Sequence, residues 1–186
     1  FPLLLAPMED VSDPPFRAVC KEHGVDMMYT EFISSEGLIR DAAKSTQKLD
    51  IFGYERPMGI QIFGSDIDVM KEAAKRQIAE DQRAVWFGCD VGKELERERG
   101  IMAEDTYDYE SIYGEAFTAD KATRLNYGQS MMTHAMVFTA VDVNEAGQTT
   151  KWRVENSWDD KSGDKGFFIM TDKWFNEYMY EVVVDK

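Results

Sequence analysis

The sequence predicts two successive fold classes, an α/β segment over residues 1–78 ordered β-α-β-α-β-α and a β-rich α+β segment over residues 79–186. Three observations carry that division. Short apolar runs at Leu3 to Ala6, Met27 to Thr30 and Pro57 to Phe63 alternate with helical patterns, the signature of a parallel sheet. Farther on, alternating apolar residues follow His134 and precede Asn156 across the polar turn Asn144-Glu145-Ala146-Gly147-Gln148, which predicts an antiparallel hairpin. Between the segments, Lys71 to Ala84 keeps helical propensity with no Gly, Pro or Ser linker, so the joint is expected to be helical.

In chain order, the run Leu3 to Ala6 reads as a buried strand that Pro7 ends. Asp13-Pro14 supplies an N-cap and a first-turn proline for a helix over Pro14 to His23, which Gly24 closes. Ser34 or Ser35 caps a second helix through Lys44. Gly64-Ser65-Asp66 opens a third, with Ile67, Met70, Ala74 and Ile78 on one face. The mixed charges of Glu94, Glu96, Arg97, Glu98 and Arg99 read as a solvated helix, and Asp105 to Phe117 as mostly loop. Lys121 to Gly128 is a turn or short helix before the strand of His134. After Asn156 comes a surface loop at Asp159 to Gly166, then a strand at Phe167 to Met170. Thr171 or Asp172 caps a helix through Tyr178, and Tyr180 to Val184 is the last strand.

Composition bounds the function. A net charge of −14 argues against tRNA or DNA binding by this chain alone, because phosphate backbones are held by clustered Lys and Arg. The acidity is uneven: residues 1–78 hold 9 basic and 13 acidic groups (−4), leaving 12 and 22 (−10) for the rest. No apolar run of about 18 residues exists to span a membrane. Phe1-Pro2-Leu3-Leu4-Leu5-Ala6 is too short for a signal segment, so a cytoplasmic protein is expected, and the start at Phe1 suggests a truncated beginning. Cys20 and Cys89 lack metal-binding spacing, and two histidines cannot assemble a typical zinc site. No disulfide is expected between the two cysteines.

His134 and Asn156 stand 156 − 134 = 22 residues apart, and a hairpin of that length brings an imidazole within reach of an amide. Such a pair orients a general base. Alone, a histidine in an apolar strand is more often a satisfied core residue, and an asparagine beside Trp158 a turn residue. The surrounding runs sharpen the reading: Val85-Trp86-Phe87-Gly88-Cys89-Asp90-Val91-Gly92-Lys93, Tyr127 to Met136, Lys151 to Trp158 and Met170 to Phe175. Together, over residues 79–186, they resemble the C-terminal half of the bleomycin hydrolase and aminopeptidase C family of papain-like cysteine aminopeptidases. The resemblance implies that His134 and Asn156 are catalytic, that a cysteine thiolate attacks the carbonyl, and that the substrate is a peptide or aminoacyl compound. It also implies what is lacking. The family's nucleophile and oxyanion glutamine come from an N-terminal half with no counterpart here, and the sequence stops at Val184-Asp185-Lys186, short of the family's C-terminal arm. Cys89 reads as structural. Asp159 replaces the glycine of the family's Asn-Ser-Trp-Gly, at a cost in stability if that glycine needs positive φ. A peptidase-like chain inactive on its own is the expectation.

A different family is carried by the first segment. Pro2-Leu3-Leu4-Leu5-Ala6-Pro7-Met8-Glu9-Asp10-Val11-Ser12-Asp13-Pro14-Pro15-Phe16-Arg17, Tyr29-Thr30-Glu31-Phe32-Ile33-Ser34 and Gly59-Ile60-Gln61-Ile62-Phe63-Gly64 resemble the opening of bacterial tRNA-dihydrouridine synthases, over residues 1–76. That family folds as a (β/α)₈ barrel around FMN, which implies a partial barrel fragment here, with Ala6, Pro7, Met8 and Gln61 as flavin contacts. Phe87-Gly88-Cys89 fits either ancestry, but Trp86 and Asp90 to Lys93 match the peptidase. Three strands cannot close a barrel, and its phosphate site is absent, so bound FMN is not expected. The chain thus reads as a chimera. The alternatives to an incomplete peptidase are an FMN-dependent oxidoreductase fragment and a non-catalytic assembly protein, and two incomplete cores favour a homo-oligomer.

Overall fold

The computed structural model describes residues 1–35, 37, 42–64 and 66–185. The chain forms two compact units, Phe1–Ala74 with Glu181–Lys186 and Lys75–Tyr180. Each is described by itself.

In the first unit, helix α1 (Pro14–Glu22) starts where the Asp13 carboxylate accepts the Phe16 amide at 2.9 Å, and Gly24 follows its end at φ +92°. Strands β1 (Met28–Tyr29) and β2 (Ile33–Ser34) both pair parallel with β3 (Met58–Phe63). Parallel pairing is as the alternation predicts. The expected first strand is reduced to an isolated parallel bridge, Leu4 with Met27. Residues 36 and 38–41 of the expected helix from Ser34 or Ser35 lie outside the described residues, as does Ser65 of the third helix's start; a short helix α2 (Ala43–Gln47) and helix α3 (Ile67–Ala79) are described. Residues 80–84 after α3 are not helical, so the predicted helical joint ends early.

The parallel pairing of β1 and β2 with β3 is as far as the expected barrel fragment can be followed in this unit. On β3, Glu181–Asp185 of the last strand, β10 (Met179–Asp185), runs antiparallel, with Val182 opposite Ile62 and Val184 opposite Ile60. A barrel would add parallel strands to that ladder. Val25, Met28 and Met58 form the core, with Leu5, Cys20 and Ile51 against it. Arg17 and Glu55, 2% and 0% exposed, make a buried ion pair at 2.8 Å. The other guanidinium nitrogens donate to Ser12 and Asp50 carbonyls, and Glu55 accepts the Phe52 amide, so neither charge is stranded.

The second unit is a sheet of β4 (Val85–Cys89), β5 (Leu95–Glu96), β6 (Ile101–Met102), β7 (His134–Val143), β8 (Thr149–Glu155) and β9 (Phe167–Thr171). Their order is β4-β7-β8-β9-β6-β5. All pairs are antiparallel except β6 with β9. Period-two burial puts Phe87, Phe138, Trp152 and Val154 on the inner face. Helix α6 (Asp172–Tyr178), capped by the Thr171 hydroxyl on the Trp174 amide at 3.2 Å, closes that face with Trp174 and Phe175. The rings of Phe87 and Phe138 stack at 3.8 Å, and Trp152 and Phe175 lie 4.9 Å apart.

Two further expectations change. The Glu94 to Gly100 run is not helical but β5 and its turn, because Leu95 pairs with Met102 and Glu96 with Ile101. Gly100 makes that turn at φ +68°, where a Cβ would sit 2.8 Å from Gly163 Cα and from the Phe167 carbonyl. Within the expected loop, Asp108 caps a helix α4 (Tyr109–Tyr113). The short helix expected from Lys121 forms as α5 (Lys121–Asn126), capped by Asp120.

Candidate active site

His134 opens β7, and its neighbour Thr133 donates its amide to the Cys89 carbonyl at 2.9 Å. Asn156 follows the end of β8, its amide held by the Gly166 carbonyl at 3.0 Å. The hairpin therefore brings the two side chains together as its length predicts. Nε2–H of His134 donates to Oδ1 of Asn156 at 3.0 Å. An amide oxygen only accepts, so this contact fixes the proton on Nε2 and leaves the Nδ1 lone pair to take one. Asn156 is 8% exposed, and its Nδ2 is buried with no hydrogen-bond partner among the described residues.

An aromatic layer holds the imidazole from one side. The Trp158 indole stacks on His134 with centroids 5.2 Å apart, the Arg97 guanidinium lies 4.6 Å from the indole centroid, and Phe168 meets it edge-on at 6.0 Å. Arg97 Nε also donates to Ser162 Oγ at 3.2 Å. Sequence reasoning missed Arg97, because its role arises from the β5–β6 turn and not from its charged neighbours.

Behind the histidine, the approach to β7 is pinned by buried hydrogen bonds. Ser130 Oγ donates to Asp90 Oδ2 at 2.8 Å and accepts from the Tyr180 hydroxyl at 2.6 Å, and the Asp90 amide donates to the Tyr178 carbonyl at 2.9 Å. Ser130 and Asp90 are each 4% exposed.

Cys89 stands opposite His134 in the β4–β7 register. The residue is fully buried, and burial, then the Asp90 carboxylate, push its thiol far above the ordinary cysteine range. At neutral pH it stays a thiol. Among the described residues no hydrogen bond joins it to His134. Cys20 packs on the core of the first unit, and both cysteines are free.

Asp159 behaves differently from the expectation. Its φ is not left-handed, and its carboxylate accepts the amides of Lys161 at 3.0 Å and Ser162 at 2.9 Å and the Ser162 hydroxyl at 3.0 Å. The Ser162 hydroxyl foremost holds that carboxyl below the usual aspartate range. The side chain organises the loop after Trp158 instead of straining it.

The proposed flavin contacts fall in the first unit and do not form a cradle. Ala6 and Met8 are exposed, and the Met8 amide donates to Ser12 Oγ at 3.0 Å. Gln61 is 2% exposed, and its Nε2 donates to Glu181 Oε2 at 2.6 Å, leaving Oε1 buried without a partner among the described residues. An amide committed to a carboxylate on β10 is not offered to an isoalloxazine, so these residues do not fit FMN.

A histidine at the head of one strand, an asparagine past the end of its antiparallel neighbour and an indole stacked on the histidine define the β-rich half of a papain-like cysteine peptidase. The chain belongs to the peptidase C1-like family, matched over residues 55–186, and its N-terminal part to the dihydrouridine synthase family, matched over residues 4–100. It is 47% identical over 121 residues to an aminopeptidase C of Lactococcus lactis, 65% of this chain and 28% of that protein. With the bleomycin hydrolase of Mus musculus it shares 50% over 123 residues, 64% of this chain and 27% of that protein. The crystal structure of PepW from Lactobacillus rhamnosis superimposes with a TM-score of 0.64 at 45% identity, covering 67% of this chain and 28% of that one. The chain thus spans little more than a quarter of the length of the curated relatives it matches.

Proposed function

We propose that this chain is the base-bearing half of a cysteine aminopeptidase, with His134 as general base and Asn156 as its orienting partner, joined near residues 78 and 79 to a synthase-derived segment. The Nε2–Oδ1 contact of 3.0 Å carries the reading, since it presets the tautomer a thiol-activating imidazole needs. Peptides or aminoacyl amides are the substrate class by kinship with the aminopeptidase C and bleomycin hydrolase relatives. The thiolate and the oxyanion donor are missing from this half: Cys89 is a buried thiol and Cys20 a packing residue. Alone, therefore, the chain does not turn substrate over. Two free thiols suit a reducing, cytoplasmic setting. Aminoacyl coumarylamide hydrolysis tests this directly: the expected result is no release above buffer, whereas release that disappears in His134→Ala would reveal a nucleophile within the chain and overturn the reading.

A further inference from the structure

We propose that Glu104 to Asp120 in the second unit is a docking surface for a separate polypeptide presenting apolar side chains flanked by lysine or arginine. Every residue from 107 to 120 is exposed, with Ile112 at 72%, Tyr113 at 65% and Phe117 at 72%. These side chains are not scattered. Tyr107 and Tyr109 touch at 5.9 Å between centroids, Tyr109 and Phe117 at 6.0 Å, and Tyr113 and Phe117 at 5.6 Å, so four rings make one patch that faces water. The patch is also built: the Tyr107 hydroxyl donates to the Leu95 carbonyl at 2.9 Å, its amide to Glu94 Oε2 at 3.2 Å, and Gly114 closes α4 with a 2.8 Å bond to the Glu110 carbonyl.

Charge selects the occupant. Glu104, Asp105, Asp108, Glu110, Glu115 and Asp120 lie in this stretch, which contains no Lys, Arg or His. Hydrogen bonds from Ser111 and Thr123 hold the Asp108 and Asp120 carboxyls below the ordinary range, so both stay anionic. A second copy on the same face would set these carboxylates against themselves, whereas a basic apolar segment would cover the rings and pair with the acidic rim. This inference does not depend on the peptidase reading.

The test uses the full chain and two labelled peptides, one alternating leucine with lysine and one leucine with glutamate, titrated by fluorescence anisotropy. The lysine peptide is expected to bind, more weakly as salt rises, and the glutamate peptide not to bind. Ile112→Ser with Phe117→Ser should weaken binding by about tenfold or more. Glu110→Gln with Glu115→Gln should weaken it and flatten the salt dependence. Near-UV circular dichroism checks that the variants fold; if the serine variant does not, the charge variant, altering only exposed side chains, decides. Equal binding by the two peptides, unchanged binding by the charge variant, or a sedimenting dimer that dissociates on Ile112→Ser with Phe117→Ser would overturn the proposal.

Discussion

The contact between His134 and Asn156 is a device for choosing a tautomer, and it makes a prediction that needs no turnover. In Asn156→Ala, Nε2 loses its acceptor, and a net hydrogen bond of about 1 kcal/mol corresponds to a roughly fivefold change in tautomer ratio. Nitrogen-15 shifts of the imidazole should move toward the Nδ1-protonated form, and an unmoved ratio would mean that the indole alone orients the ring. The pair was legible in the sequence because both residues lie on one hairpin, whose turn and alternation fix their approach. Arg97 was not legible. It reaches Trp158 from a turn made by short strands, and nothing local marks Leu95-Glu96 as a strand, since its partner is Ile101–Met102, itself paired to β9. Asp159 shows the opposite limit: a substitution that reads as a loss becomes a hydrogen-bonding hub once the loop's amides are in place.

Among the elements, caps and turns were readable and tertiary pairing was not. Asp13, Thr171 and the turn after β7 encode their geometry within a few residues, and each forms as its chemistry predicts. Whether the partial barrel fragment expected for the first segment extends depends on which strand joins β3, a choice made between residues about 120 apart, as in the Gln61 to Glu181 bond. In the second unit the inner face carries the stability. Phe138 lies against Phe87, Trp152 and Phe175 with 0% exposure, so Phe138→Ala should cost about 3–5 kcal/mol, measured as a drop in the urea midpoint by tryptophan fluorescence. A loss under about 1 kcal/mol would mean that the ring stack is not the core.

At the end of α6, Tyr178 packs on Trp174 and beneath the Arg124 guanidinium, and burial lifts its phenol to about 12. A folded value above the unfolded one, near 10, means that its contribution is complete below about pH 10 and is lost as pH rises toward 12. Lys121, lowered to about 8 by burial, works the other way, so stability gains from it as pH rises from about 8 to the ordinary lysine value of 10.5. Above that value only the loss remains to be read. Between pH 10.5 and 12 the wild type should therefore lose stability more steeply than Tyr178→Phe, and parallel curves would remove Tyr178 from the alkaline transition.

For the molecule as a whole, net charge of −14 sets self-repulsion against specific ion pairs. Salt acts on both with opposite signs. Repulsion among exposed carboxylates falls as the screening length shrinks from about 30 Å at 0.01 M to about 10 Å at 0.1 M. Among the described pairs, Arg17 with Glu55 is buried, Arg124 with Glu177 is largely covered, Lys48 with Glu9 is partly covered, and the exposed Arg76 to Glu80 contact spans 3.6 Å, so salt has little attraction in them to weaken. Repulsion should win. Raising potassium chloride over that range at pH 7 is expected to increase the thermal midpoint, and the increase should vanish near the isoelectric point of about 4.5, where solubility should also be lowest. A midpoint that falls with salt at pH 7 would mean that specific attraction outweighs the acidic surplus, and the acidic character would then be a matter of partners alone.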